Sequence, residues 1–351
     1  SDEVINFMKI RKRVTLVLRG LALVFLVGAF FFVFNPFGLG PEPDAVLPRS
    51  FFTTPAEDLS ELELLVGGEE AFKEILFALD DARSSIFVQT FIWKDDNIGG
   101  QVVNRLKAAA DRGVEVKVRK DLLGTVFELG EMLKGRPSPV FTKSGLREYK
   151  NIDVDTKLSS DTDHSKYFIV DKRIVIFGGM NIGDEYHTKW HDYMATIRSE
   201  RWTGAFEKKV LEGFAWPNPA PFVVTVNNKD ITEIRTALIE MIDHANENVI
   251  IQHAYFSDNK MIAAVKRAAA RGVRVDVVLP KEPDTHIYAN MLTTNKLLEE
   301  SNQKVPRIFL YPKMSHAKVV MTDGAIACVG SANLTPRSML TSREITLFAH
   351  G

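Results

Sequence analysis

One pattern occurs twice in this chain: His164-Ser-Lys-Tyr-Phe-Ile-Val-Asp171 and His316-Ala-Lys-Val-Val-Met-Thr-Asp323, each reading H-x-K-x4-D. The copies agree beyond the motif itself. Asn181 and Asn333 each follow their histidine by 17 residues, and Asp192 and Glu344 each follow by 28. Each histidine therefore has a lysine, an asparagine and a carboxylate at matched offsets. The runs after both histidines are apolar and predict strands. Alternate strand residues share a face, so His and Lys two apart point the same way. Asp323-Gly324 is a hairpin-turn signature, and Asp171-Lys172 falls at the same point. The two aspartates are grouped with the catalytic set as motif members, although a turn position favours a framework role over proton transfer. The predicted return strands, Ile174 to Phe177 and Ala325 to Val329, end in Gly178-Gly179-Met180-Asn181 and Gly330-Ser331-Ala332-Asn333. Small residues there let backbone and amide groups approach a bound anion closely.

Working outward, the repeat extends upstream. Val249-Ile-Ile-Gln-His-Ala-Tyr-Phe256 echoes Ile86-Phe-Val-Gln-Thr-Phe-Ile-Trp93, and Lys266-Arg-Ala-Ala-Ala-Arg-Gly-Val-Arg-Val275 echoes Lys107-Ala-Ala-Ala-Asp-Arg-Gly-Val-Glu-Val116. Ser85 to Trp93 reads as a strand, Gly100 to Arg112 as an amphipathic helix stopped by Gly113, and Val114 to Val118 as a second strand. Such units build a sheet flanked by helices. The expected fold is α/β, with two similar lobes, each a mixed β-sheet flanked by helices. Prolines 217, 219 and 221 mark the seam. The expected divisions are 1–48 for an anchor and linker, 49–216 for the first lobe and 217–351 for the second.

Two histidines, two lysines and two asparagines converging on one point fit a phosphodiester. One imidazole attacks phosphorus to give a covalent phosphohistidine. The other protonates the leaving alcohol and then deprotonates the incoming one. Lys166, Lys318, Asn181 and Asn333, with Gly179 and Ser331 of the small-residue turns, are the expected phosphate ligands. Asp192 and Glu344 are expected to hold a histidine ring in the right tautomer. A lone histidine on a strand is usually a packing or surface residue; the duplicated context argues for catalysis at His164 and His316. A lysine beside each histidine argues against a metal site, and no metal or cofactor is expected. His187, His191, His244, His253, His286 and His350 lack matched partners and are read as structural or exposed, with His253 facing the same cleft. Tyr186, Trp190 and Tyr193 are read as a core cluster rather than a substrate platform.

The chain has 351 residues, 45% of them hydrophobic, and a formal net charge of −1, which suits about two globular domains. The near-neutral balance gives no support for a nucleic-acid-binding surface, and nucleic acid is not the expected partner. One cysteine, Cys328, excludes an intramolecular disulfide, and its apolar surroundings predict a buried thiol. From Val14 to Phe34 nearly every residue is apolar, apart from Thr15 and Arg19. That length is close to the roughly 20 residues needed to span a bilayer. Lys9, Arg11, Lys12 and Arg13 precede it, which predicts one transmembrane helix with its N-terminus cytoplasmic and the rest across the membrane. A cleaved secretory signal is the rival reading; no clear small-x-small site follows Phe34.

These residues resemble the phospholipase D superfamily. Phe91-Ile-Trp-Lys-Asp-Asp96, Gly178-Gly-Met-Asn-Ile-Gly-Asp-Glu-Tyr186, Trp190-His-Asp192, Arg271-Gly-Val-Arg-Val-Asp-Val-Val-Leu-Pro280 and Gly330-Ser-Ala-Asn-Leu-Thr-Pro-Arg-Ser338 look like bacterial-type cardiolipin synthases in particular. The resemblance covers roughly residues 59–348. It implies two lobes with one active site at their interface and a phosphatidyl-histidine intermediate, formed on the first-motif histidine, His164, with His316 as acid and base. It also implies phospholipid substrates and transfer of a phosphatidyl group from one phosphatidylglycerol to another. Such synthases often have two N-terminal spans, and one is visible here. Hydrolysis of phospholipid or nucleic acid by the same chemistry is the alternative, and an inactive membrane scaffold is disfavoured because both motifs are intact. Two motifs in one chain remove the need for an oligomer to build the site.

Overall fold

The computed structural model describes residues 43–157, 161–228, 230–299 and 305–351. The predicted anchor, Val14 to Phe34, lies outside the described residues. Among those described, no helix is long and apolar enough to cross a membrane.

Strands β1 (Leu62–Val66), β2 (Ser85–Thr90), β3 (Glu115–Asp121), β4 (Ile152–Lys157), β5 (Tyr167–Val170), β6 (Ile174–Gly178) and β7 (Tyr193–Arg198) form one sheet in the order β1-β7-β6-β5-β2-β3-β4. Strands β8 (Phe222–Asn227), β9 (Asn248–His253), β10 (Arg274–Pro280), β11 (Arg307–Tyr311), β12 (Lys318–Thr322), β13 (Ile326–Gly330) and β14 (Glu344–His350) form a second. Read from β8, its order is β8-β14-β13-β12-β9-β10-β11, strand for strand the same topology. Both sheets are mixed: β2, β3 and β4 run parallel, as do β9, β10 and β11, while the hairpin strands pair antiparallel.

Two helices cover the outer face of each sheet. Helices Gly68–Asp81 and Asn97–Asp111 carry Phe72, Ile75, Val102 and Leu106 onto Val88, Val116 and Phe168 of the first sheet. Helices Glu233–His244 and Asn259–Ala270 do the same for the second with Leu238, Met241 and Val265. The inner faces pack against each other: Ile169, Val175, Phe177 and Ile197 meet Val224, Val329, Ile345 and Leu347 in one buried cluster. Helices flank both sheets as expected, and the inner faces add a layer the sequence did not predict, sheet against sheet, with Trp202 and Phe206 of helix Glu200–Glu207 packed into the same cluster. At roughly 1.5–3 kcal/mol for each fully buried aliphatic or aromatic side chain, this face fixes the lobes against each other. Leu47 and Phe51, upstream of the first sheet, join the core of the second lobe, where the Phe51 carbonyl lies 2.7 Å from His350 Nδ1.

Asp171 and Asp323 stand at the hairpins β5–β6 and β12–β13, both with positive φ (52° and 55°). Asp171 accepts from the backbone N–H groups of Arg83 (2.9 Å), Ser84 (2.7 Å) and Ser85 (3.0 Å). Asp323 accepts from those of Asn246 (2.9 Å), Glu247 (2.8 Å) and Asn248 (3.0 Å). These bonds tie each hairpin to the start of the neighbouring strand and hold both carboxyls below the usual range, although burial opposes the shift.

Candidate active site

The motif histidines stand at the opposite ends of these strands from the aspartates, where the two lobes meet. His164 N–H donates to Arg343 O (2.9 Å) and His316 N–H donates to His191 O (2.7 Å), so each motif is tied to the other lobe's backbone. The side chains cross over as well. His164 Nδ1 lies 3.0 Å from Glu344 Oε1, and His316 Nδ1 lies 2.6 Å from Asp192 Oδ2. Each lobe therefore supplies the carboxylate that orients the other lobe's histidine. With Nδ1–H donated to a carboxylate, Nε2 carries the lone pair in both rings. This crossing is what makes one site out of two motifs.

The lysines stay with their own histidines. Lys166 donates to the His164 carbonyl and Lys318 to the His316 carbonyl. The Lys318 ammonium also lies 2.8 Å from His316 Nδ1 and 3.1 Å from its Nε2, and the Lys166 ammonium sits 5.4 Å from the Phe91 ring centroid. Burial pushes Lys166 down to about 7, helped by the charge of Lys318, and pushes Lys318 down to about 8. Burial likewise lowers His164 to about 4, against the pull of Glu344. His316 is lowered by burial and by Lys318, against Asp192. Burial disfavours the Glu344 charge, but His164, Lys166 and the Ser331 hydroxyl together hold its carboxyl below the usual value.

Several of the residues expected to bind phosphate also have partners within the protein. Ser331 Oγ donates to Glu344 Oε2 (2.5 Å), so it fixes the carboxylate that holds His164. Gly179 occupies the equivalent place, and a Cβ there would run into the Asp192 carboxylate. Asn181 accepts from Ile92 N–H (3.0 Å) and donates to the Tyr186 hydroxyl (2.9 Å). Asn333 differs: its Oδ1 is buried and has no partner among the described residues. Both ring nitrogens of His253 are buried without a partner too, one strand over and paired in register with Lys318. The first-lobe counterpart, Thr90, is satisfied, donating to Ile92 O (2.9 Å). At these two matched positions the unpartnered atoms are on the second-lobe side.

Aromatic rings close the walls. Tyr186 and Trp190 pack in the first-lobe core as expected and also lie 5.2 and 5.7 Å from the His316 ring, while Tyr193 bonds His191 and Gln252. Phe91 lies 4.9 Å from the His164 ring. The His164 side chain keeps 17% of its surface exposed against 5% for His316. Nothing in the spacing pointed to Phe91, whose counterpart in the second lobe is Ala254.

A family model described as "Cardiolipin synthase, PLD-like domain" matches residues 75–213 and 238–351 of this chain. The chain is 27% identical over 328 residues to a cardiolipin synthase of Clostridium perfringens, covering 83% of this chain and 67% of that protein. It is 27% identical over 326 residues to one of Listeria welshimeri, covering 83% of this chain and 66% of that protein. Among solved structures, phosphatidylserine synthase of Haemophilus influenzae superposes with a TM-score of 0.60 at 14% identity, over 84% of this chain and 83% of that one. A polyphosphate kinase of Porphyromonas gingivalis does so with a TM-score of 0.57 at 15% identity, over 87% of this chain and 51% of that one. Both superpositions bear on the fold alone.

Proposed function

This chain belongs to the cardiolipin synthase family of phospholipase D-like enzymes, and from that premise we propose that it joins two phosphatidylglycerol molecules into cardiolipin and glycerol through a covalent phosphohistidine. The observation that carries the reading is the crossed pairing of His164 with Glu344 and His316 with Asp192. His164 is the better nucleophile of the two. Its ring is the more exposed, whereas His316 is walled in by Tyr186 and Trp190.

In the first step His164 Nε2 attacks phosphorus. The N–P bond forms, the P–O bond to glycerol breaks, and His316 gives its proton to the departing oxygen. In the second, the primary hydroxyl of another phosphatidylglycerol loses its proton to His316. Its oxygen attacks phosphorus, and the bond to His164 breaks. Lys166 and Lys318 neutralise the non-bridging oxygens in both steps. Asn333 and His253, with buried polar atoms open to a ligand, fit the glycerol hydroxyls on the second-lobe side. The apolar run 14–34 supports an anchor that holds this site at the bilayer, across the membrane from a cytoplasmic N-terminus.

The test is incubation of the purified chain with phosphatidylglycerol vesicles and mass spectrometry of the products, with His164→Ala as control. Cardiolipin and glycerol, absent with the variant, support the reading. Phosphatidic acid alone makes water the acceptor, and no lipid product overturns it.

A further inference from the structure

Outside the site, two segments share one place in the fold. In the first lobe the chain leaving β3 forms the helical stretch Leu122–Leu133, and in the second the chain after β10 leads into helix Ile287–Leu298. Each is gripped on its inner side at the same backbone position of its lobe. Glu128 accepts from Trp93 N–H (2.6 Å) and pairs with Lys120 (3.1 Å). Asn290 accepts from Phe256 N–H (2.9 Å) and donates to Ala254 O (2.9 Å).

The outer sides are apolar and open to solvent. Val126, Phe127 and Leu133 stand out in the first, with Leu133 88% exposed, and Tyr288, Met291 and Leu292 in the second, with Tyr288 77% exposed. Each stretch lies one aromatic ring from its catalytic histidine. Phe127 meets Phe91 (5.7 Å between centroids), which meets His164. Tyr255 stacks on His286 (4.7 Å), just before the second helix, and its ring lies 6.4 Å from that of His316. The two ridges therefore flank one mouth.

The chemistry of these ridges selects the occupant. Side chains this exposed stand proud of the surface and form no groove for a peptide. The acids of the first ridge are answered by bases beside it: Glu128 is buried against Lys120, and Lys134 and Arg136 converge on Glu131; Lys296 is the single charged residue of Ile287–Leu298. Two exposed apolar ridges whose own acids are paired, with Lys296 unopposed within the second, on either side of a phosphodiester site, match the surface of a phospholipid bilayer.

We propose that the ridges Leu122–Leu133 and Ile287–Leu298 insert side by side into the bilayer interface, pressing the active-site mouth onto the membrane so that the phosphodiester passes to His164 without crossing water. This rests on the phospholipid reading of the site. The predicted anchor would tether the chain, and the ridges would aim it.

The test uses the full chain in vesicles of phosphatidylglycerol and phosphatidylcholine. A single environment-sensitive fluorophore is attached at Leu133→Cys, Leu292→Cys or, as control, Phe77→Cys. Phe77 is 62% exposed, on the helix that runs toward the Asp171 hairpin. Cys328 is buried, and burial pushes its thiol up to about 12, so it stays unlabelled. Probes at 133 and 292 should shift to the blue and be quenched by nitroxide-labelled lipid, and the probe at 77 should not. The double variant L133E/L292E should lose at least tenfold in turnover of vesicle lipid while keeping turnover of short-chain phosphatidylglycerol dissolved below its micelle concentration. Equal quenching at all three positions, or loss of both activities, overturns the ridges. Quenching needs no turnover, so a chain inactive on lipid would refute the proposed function and still leave the ridges decided.

Discussion

Exchanging the roles of Glu344 and Asp192 is impossible if the crossing is right, and that gives a sharp test. Glu344→Gln removes the charge that accepts the His164 Nδ1 proton at 3.0 Å, and leaves an amide that can present its N–H₂ and favour the wrong tautomer. A hydrogen bond to a charged group contributes about 1.5–3 kcal/mol, or about 10- to 150-fold in rate. A lost tautomer can raise the penalty to about 10⁴, as removal of the orienting aspartate does in a serine protease. Asp192→Asn perturbs His316 in the same way, at 2.6 Å. The assay is a pre-steady-state burst with a phosphatidyl ester of p-nitrophenol, whose leaving group needs no acid. Formation of the phosphohistidine then requires only His164. Asp192→Asn should release the first equivalent of nitrophenol at nearly the wild-type rate and then stall, because deprotonation of the acceptor needs His316. Glu344→Gln should slow the burst itself at least tenfold. The reverse pattern, with the burst slowed by Asp192→Asn and spared by Glu344→Gln, would refute the crossed assignment.

Gly179→Ala should resemble Asp192→Asn, since its Cβ would displace that carboxylate; steady-state turnover falls at least tenfold and the burst survives. Asp171→Asn and Asp323→Asn should each lower stability by about 1–2 kcal/mol in urea unfolding and leave kcat unchanged, because their bonds go to backbone N–H groups of β-strand starts. The lysines set an alkaline limb. With Lys166 pushed down to about 7 and Lys318 to about 8, both lose charge as pH rises through that range, and kcat/KM for anionic lipid should fall there. The limb in kcat should lie higher, because bound phosphate holds the protons on. A flat kcat/KM between pH 6 and pH 9 would contradict it.

The duplication, the hairpins and the identity of the histidine–lysine pairs were legible because they repeat at fixed spacing. The crossing was not. Two copies related by a near-twofold give identical offsets whether Asp192 serves His164 or His316, so spacing along the chain cannot separate the two. Small residues were expected at Gly179 and Ser331, and the structure adds a second reason for them: each lies against an orienting carboxylate, a relation that spacing does not show. Asn181 matched Asn333 in sequence and differs from it in bonding, because the position matching Tyr186 in the second half is Ser338, whose short side chain does not stand in for the tyrosine hydroxyl; its carbonyl serves Asn227. The packing of Leu47 and Phe51 on the second lobe also escaped, since a short apolar stretch beside prolines carries no period that names its partner.

The electrostatics of the cluster explain how an acid can be ready in a site that burial keeps neutral. Two carboxylates and two ammonium groups balance, and burial already pushes His316 toward its uncharged form. General acid catalysis needs the opposite. A phosphodiester brings one negative charge into the same low-dielectric space, and that charge favours protonation of whichever neighbour is neutral. On the proposed mechanism His164 is spent as nucleophile, so His316, with Asp192 at its Nδ1, would be the ring that takes the proton. The substrate thus makes the acid it will use. The same cluster without an anion holds its lysines near neutrality and its histidines uncharged, which keeps a buried site from carrying unpaired charge while empty.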